Sequence, residues 1–103
     1  MMKKHTTAYY LNLLQQQDLV EDFDLRGSED KKIRHLSYDS QDMEYNTLFI
    51  CKGIHFKEEY LFDAEKKGAV CYISEKRFEG TSLGYILVKD IKRTANADRK
   101  SVV

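Results

Sequence analysis

The feature that most constrains this chain is an apolar run followed by a loop, a helical pattern and a second apolar run. Residues 47–51 read TLFIC, and this near-continuous apolarity predicts a strand buried on both faces. Residues 58–67 carry acids first and lysines last, which suits the helix dipole, and Gly68 suits a C-terminal cap. Residues 69–73 predict the next strand. A strand, a helix and a strand in this order are typical of an α/β sheet.

The segment before this unit is less regular. Leucines and Tyr10 at helical spacing predict a short amphipathic helix over Thr6 to Gln17, with Thr6 or Thr7 as its N-cap. Residues 20–25 dock on the core or form a short strand, and the charged, glycine-containing residues 26–32 predict an exposed loop with little chemistry.

Two further strands complete the predicted sheet, at residues 33–38 and 85–88, and Asp90 is placed to cap a helical segment that begins at Ile91. We therefore predict an α/β fold: a small three-layer sandwich with a mixed, largely parallel sheet of about four to five strands, flanked by helices.

Length and charge limit the function classes. With 103 residues the chain predicts a single domain, 1–103, and with 17 basic against 17 acidic residues it carries no net charge that would attract nucleic acid or an anionic membrane. No apolar run reaches the length of a membrane span and no signal peptide is evident, which indicates a cytoplasmic protein.

Residues that could support catalysis or hold a metal are few. Cys51 and Cys71 lie inside apolar runs without a CxxC spacing, which indicates buried free thiols. The three histidines have no metal-site spacing, and neither a GxSxG elbow nor a phosphate loop is present. We therefore predict no catalytic residue, no metal site and no cofactor within this segment. Asp39, after a predicted strand, is more often a turn residue than a catalytic one.

The central sequence nevertheless resembles a known family. The runs LSYDSQ, NTLFICKGIHFKEEYL, AEKKGAVCYISE and YILVKDIK follow each other over about residues 33–92 as in the N-terminal domain of the Mur ligases. Within this family they are similar to the MurE type, and the F-K-x-E-Y variant after the glycine is similar to MurE of streptococci and related Gram-positive bacteria.

The resemblance implies a substrate site. In the family, the Y-D-S turn and the residues after the loop glycine receive the uridine diphosphate end of UDP-N-acetylmuramoyl-L-Ala-D-Glu. The corresponding residues in this chain are Tyr38, Ser40, Ile54, His55 and Phe56. Each also has a structural interpretation, such as a strand residue for Tyr38 or a staple of the following helix for Phe56.

The resemblance also implies what the segment lacks. The family binds ATP and Mg²⁺ in a central domain and the incoming amino acid in a C-terminal domain, so this segment would bind the substrate without forming a peptide bond. Gln41 stands where most members have arginine, and the polar residues 93–103 predict a mobile or truncated tail. A stand-alone nucleotide-sugar or protein-binding module and a partial gene product are the alternatives.

Overall fold

The computed structural model describes residues 5–39, 41–51, 57–91 and 93–94. Within these ranges the helices and strands follow one another as β1 (His5–Thr6), α1 (Thr7–Gln16), β2 (Val20–Asp24), β3 (Lys32–Ile33), β4 (His35–Ser37), β5 (Thr47–Ile50), α2 (Glu58–Lys66), β6 (Ala69–Ser74) and β7 (Gly84–Val88). The helix and strand types predicted from the 47–73 segment are confirmed, with bounds that differ by one residue.

Five strands form the main sheet, in the order β2-β7-β6-β5-β4. The four strands from β4 to β7 are parallel to their neighbours, whereas β2 pairs with β7 in the antiparallel direction. The sheet is therefore mixed and largely parallel, as predicted. The strands β1 and β3 form a separate antiparallel pair.

A helix covers each face of this sheet. Leu48 packs in a cluster with Leu11 and Leu14 of α1, whereas its neighbour Phe49 packs in a second cluster with Leu61 and Ala64 of α2. Successive strand residues point to opposite faces, so one strand contributes to both clusters. Leu48 and Phe49 have no exposed surface, which confirms the predicted burial on both faces and gives the three-layer sandwich.

The predicted strand over residues 33–38 is wrong in one respect, because the structure divides it between two sheets. Ile33 pairs with His5 of β1, and His35 pairs with Thr47 of β5. Between them the Arg34 amide donates to the Asn46 carbonyl at 3.0 Å. This change of partner depends on residues far away in the chain, which local strand propensity cannot reveal.

The predicted caps of α1 and α2 are present. The Thr6 hydroxyl accepts a hydrogen bond from the Tyr9 amide at 3.2 Å at the start of α1. Gly68 follows α2 with a φ of +118°, in the region that favours glycine. A Cβ at Gly68 would lie 2.6 Å from the Tyr45 Cα, so this position also requires close backbone approach. In the part of the chain that is described, no helix is long and apolar enough to cross a membrane.

A comparison of two glycine substitutions tests this requirement. Gly27 also has a positive φ, of +84°, but a Cβ there would meet nothing within 4 Å. We expect Gly27→Ala to lower the free energy of unfolding by about 1 kcal/mol through backbone strain alone. Gly68→Ala should cost at least about 1 kcal/mol more, because the clash is with backbone that cannot rotate away. Urea denaturation of both variants measures the difference, and equal losses would contradict the close approach.

Candidate functional site

The carboxyl ends of the four parallel strands lie along one edge of the main sheet. The strands β4, β5, β6 and β7 end there at Ser37, Ile50, Ser74 and Val88. In open α/β sheets this edge is where loops converge and ligands bind. The predicted site residues follow β4 and β5 in the sequence, and the carboxyl ends of these two strands are neighbours on this edge.

A hydrogen-bonded turn follows β4. The buried Ser37 hydroxyl donates to the Asp39 carbonyl at 2.9 Å and accepts from the Asp39 amide at 3.0 Å. The Asp39 carboxylate accepts from the Gln41 amide at 2.9 Å, and the Asp39 carbonyl accepts from the Asp42 amide at 3.0 Å. These bonds make Asp39 a turn residue, as its sequence context indicated.

Of the five predicted site residues, the structure describes one. Tyr38 lies in this turn, and 63% of its surface is exposed at the carboxyl edge of the sheet. Its exposure argues against the alternative in which Tyr38 packs into the core. Ser40, Ile54, His55 and Phe56 lie outside the described residues, so their predicted roles stay predictions.

The segment after this turn contacts the edge strand through a histidine side chain. His35 of β4 is half-buried, and its Nε2 lies 3.2 Å from an Asp42 carboxylate oxygen. Its Nδ1 lies 3.6 Å from a carboxylate oxygen of Glu44. His35 therefore connects the start of β4 to the segment that returns from the turn toward β5. Sequence reasoning did not find this role, because the histidine has no motif around it.

Two acidic residues at the same edge also bind backbone amides. A carboxylate oxygen of Glu75, after β6, accepts from the Ile91 amide at 3.1 Å. Asp90 accepts from the Arg93 amide at 3.2 Å, which confirms it as the predicted cap. The basic residue beside them, Lys89, forms an ion pair with Asp18, with 3.3 Å between the Lys89 Nζ and a carboxylate oxygen. Sequence reasoning did not single out Glu75, and its position directly after an apolar strand was the available signal.

The two cysteines, Cys51 and Cys71, are free thiols, and both are buried. Burial raises the pKa of the Cys71 thiol to about 12 and raises the pKa of the Cys51 thiol further. Both sulfurs are therefore protonated at neutral pH and are poor nucleophiles. No group of three or more histidine, cysteine or acidic side chains within the described ranges is arranged to hold a metal ion.

We expect Ser37→Ala to loosen the turn that carries Tyr38. The substitution leaves the Asp39 amide and carbonyl without their buried partner, at a cost of about 1 kcal/mol in unfolding free energy. Amide hydrogen exchange at residues 39–42 should accelerate. The matched control is Ser74→Ala. It removes a buried hydroxyl at the end of β6 that accepts a hydrogen bond from the Lys76 amide at 3.1 Å. Equal exchange at residues 39–42 in wild type and Ser37→Ala would contradict this role.

We expect both thiols to resist alkylation in the folded protein. At about pH 9 only about one Cys71 thiol in a thousand is ionised when its pKa is about 12. Iodoacetamide labelling followed by mass spectrometry should therefore be slow from neutral pH to about pH 9 and fast in urea. Rapid labelling of either cysteine without denaturant would show that its site opens or is solvated. The single variants Cys51→Ala and Cys71→Ala assign any label to one sulfur.

Relatives of this chain are found among enzymes that act on UDP-linked muramyl peptides. A UDP-N-acetylmuramyl-tripeptide synthetase of Lactobacillus acidophilus is 34% identical over 82 residues, which is 79% of this chain and 16% of that protein. The UDP-N-acetylmuramoyl-L-alanyl-D-glutamate–L-lysine ligase of Enterococcus faecalis is 46% identical over 63 residues, 61% of this chain and 12% of the ligase. The chain thus spans less than a fifth of these relatives. No protein-family model matches it.

Solved structures show which fold the chain has. Two crystal structures of MurF from Acinetobacter baumannii superpose with TM-scores of 0.70 and 0.72, at 17% sequence identity. In each case the match covers 93% of this chain and 20% of the MurF chain. The five-stranded mixed sheet with a helix on each face is therefore the fold of the Mur ligase N-terminal domain. Together with the sequence relatives, this fold shows that the chain belongs to the Mur ligases.

Proposed function

We propose that this chain is the substrate-binding N-terminal domain of a MurE-type ligase in cytoplasmic peptidoglycan biosynthesis. It binds the uridine diphosphate end of UDP-N-acetylmuramoyl-L-Ala-D-Glu at the carboxyl edge of its sheet. The observation that carries the proposal is the sequence similarity to the tripeptide synthetase and the lysine ligase, since those names specify this substrate class. The MurF structures support the fold alone, because their sequence identity is 17%.

The geometry of the carboxyl edge supports a binding role. Tyr38 presents an exposed ring that can cover a uracil face, and its turn is fixed by Ser37 and Asp39. Ser40, the residue after Asp39 in the sequence, has a hydroxyl that can donate to a ribose or phosphate oxygen. Ile54, His55 and Phe56 follow the adjacent strand β5 and complete the proposed site.

Charge limits what this edge can do alone. The carboxylates of Asp39, Glu75 and Asp90 lie here, and Lys89 is already paired with Asp18. Gln41 adds no positive charge. A diphosphate therefore gains little electrostatic attraction from the described groups, and we expect weak binding that is strengthened in a full-length ligase. ATP and Mg²⁺ would act in parts of such a ligase outside this segment, and the segment would not form a peptide bond.

Amide NMR of the chain tests this function. Addition of UDP-N-acetylmuramoyl-L-Ala-D-Glu to millimolar concentration should shift the amides of residues 38–41 and 53–56. Ser40→Ala should weaken binding while leaving the folded spectrum nearly intact, because it removes one hydroxyl donor. Unmoved amides in a folded sample would contradict the site. If Ser40→Ala instead unfolds the protein, the role of Ser40 is that of a structural cap.

A tyrosine pair provides the matched control. Tyr38 and Tyr45 have similar exposed fractions, 63% and 60%, but Tyr45 lies beside Gly68 at the start of β6, on the other edge of the sheet. We expect Tyr38→Ala to lower the affinity for the UDP-linked ligand several-fold, because the stacking of the ring on uracil is lost. Tyr45→Ala should leave this affinity unchanged. Equal effects of the two substitutions would mean that the response is not specific to the carboxyl edge.

A further inference from the structure

The structure has a concave region at the opposite edge of the sheet, where β6 and β7 begin. It is an open groove of about 330 Å³, near the lower end of the range for small-molecule sites. Its lining is mainly polar. The lining residues that could hold a ligand or shape the groove are Arg26, Ser28, Lys31, Glu65, Ser82 and Gly84.

Arg26 occupies this groove in a strained backbone conformation. Its φ is +50° and that of Gly27 is +84°, and the Ser28 amide donates to the Leu25 carbonyl at 3.0 Å. Two consecutive positive φ angles closed by this bond form a turn in which asparagine or glycine is the usual first residue. An arginine there costs on the order of 1 kcal/mol, and such strain is concentrated at functional positions.

The surroundings of Arg26 fix its side chain rather than neutralise it. One guanidinium nitrogen, Nη1, donates to the Thr81 carbonyl at 2.9 Å, and the guanidinium carbon lies 5.6 Å from the centre of the Tyr85 ring. Neither partner carries a negative charge. Within the described part of the chain, neither Arg26 nor Lys31 forms an ion pair with a carboxylate. Two cations without a paired carboxylate among the described residues therefore line one groove.

The carboxylate in this groove is already satisfied by hydroxyl groups. Glu65 of α2 accepts hydrogen bonds from the Thr81 hydroxyl at 2.6 Å and from the Ser82 hydroxyl at 2.7 Å. The bond from Thr81 is the main reason that the pKa of Glu65 is lowered. Glu65 therefore stays ionised, but its oxygens are occupied by donors from the segment between β6 and β7, and it forms no ion pair with Arg26 or Lys31.

The floor of the groove is held close to the turn. A Cβ at Gly84 would lie 2.4 Å from the Leu25 carbonyl oxygen, so the start of β7 and the first residue of the turn are in direct backbone contact. The Ser28 hydroxyl donates to the same carbonyl at 2.6 Å. The position of Arg26 is thus set by rigid backbone on one side and by Thr81 on the other, as in a preorganised binding site.

We propose that this groove is a binding site for a small ligand that carries an oxyanion, either a phosphate or a carboxylate group. The guanidinium N–H groups of Arg26 that are not used by Thr81 bind the anion, and the Lys31 ammonium adds a second positive charge. The site lies at the edge opposite to the proposed nucleotide site. Its occupation therefore requires neither Tyr38 nor the loop after β5.

Amide NMR titration with sodium phosphate or sodium acetate tests this proposal, with sodium chloride at matched ionic strength as the reference. Saturable shifts should appear at residues 27, 28, 82 and 84 with at least one of the two oxyanions. If only one of the two anions gives saturable shifts, that result identifies whether the site binds a phosphate or a carboxylate group. Shifts that do not saturate, or that chloride reproduces, would overturn the proposal.

Arginine variants separate a site from general surface charge. Arg77 also lies over the Tyr85 ring, at 5.3 Å, but it does not line the groove. Arg26→Gln should weaken oxyanion binding at least tenfold, and Arg77→Gln, with the same change in charge, should leave it unchanged. If Arg26→Gln does not fold, Lys31→Gln provides the test, with an expected loss of several-fold. The site would be overturned if Arg77→Gln lowered oxyanion affinity as much as Arg26→Gln does. It would also be overturned if neither Arg26→Gln nor Lys31→Gln lowered that affinity.

Discussion

The rest of the structure depends on the burial of β5 on both faces. Leu48 and Phe49 point in opposite directions and have no exposed surface, so the fold must supply an apolar layer on each side of the strand. Burial of each such side chain contributes about 1.5–3 kcal/mol. Helix α1 supplies one layer and α2 the other. A shorter chain with a single helix would leave one of these two faces in water.

This arrangement also decides where ligands can bind. Because β4 to β7 run parallel, their carboxyl ends share one edge and their amino ends share the other. The antiparallel strand β2 breaks this pattern, since its carboxyl end lies beside the start of β7. The turn with Arg26 therefore lies at the amino edge. One extra antiparallel strand thus gives the second edge a cationic groove that the parallel strands alone would not provide.

The sequence was informative where local pattern and tertiary environment agree. Strand β5, helix α2 and the Gly68 cap follow from apolar runs, charge order and one glycine, and all three are present. The division of residues 33–38 between two sheets could not be predicted, because it depends on the partners His5 and Thr47. Asp39 was understood from its turn context alone. Ser37 was missed, because a serine inside a strand gives no sign that its hydroxyl will hold the next turn.

The Arg26 groove was missed for a different physical reason. Residues 26–32 are charged and contain glycine, which is the composition of a solvated loop, and the sequence predicted little chemistry there. What distinguishes Arg26 is the combination of a positive φ, a carbonyl partner 55 residues away and the absence of a paired carboxylate in the described structure. All three depend on tertiary contacts. The two edges consequently differ in how their charges are used: the described carboxylates of Asp39 and Asp90 cap backbone amides, whereas the guanidinium of Arg26 keeps donors available for a ligand.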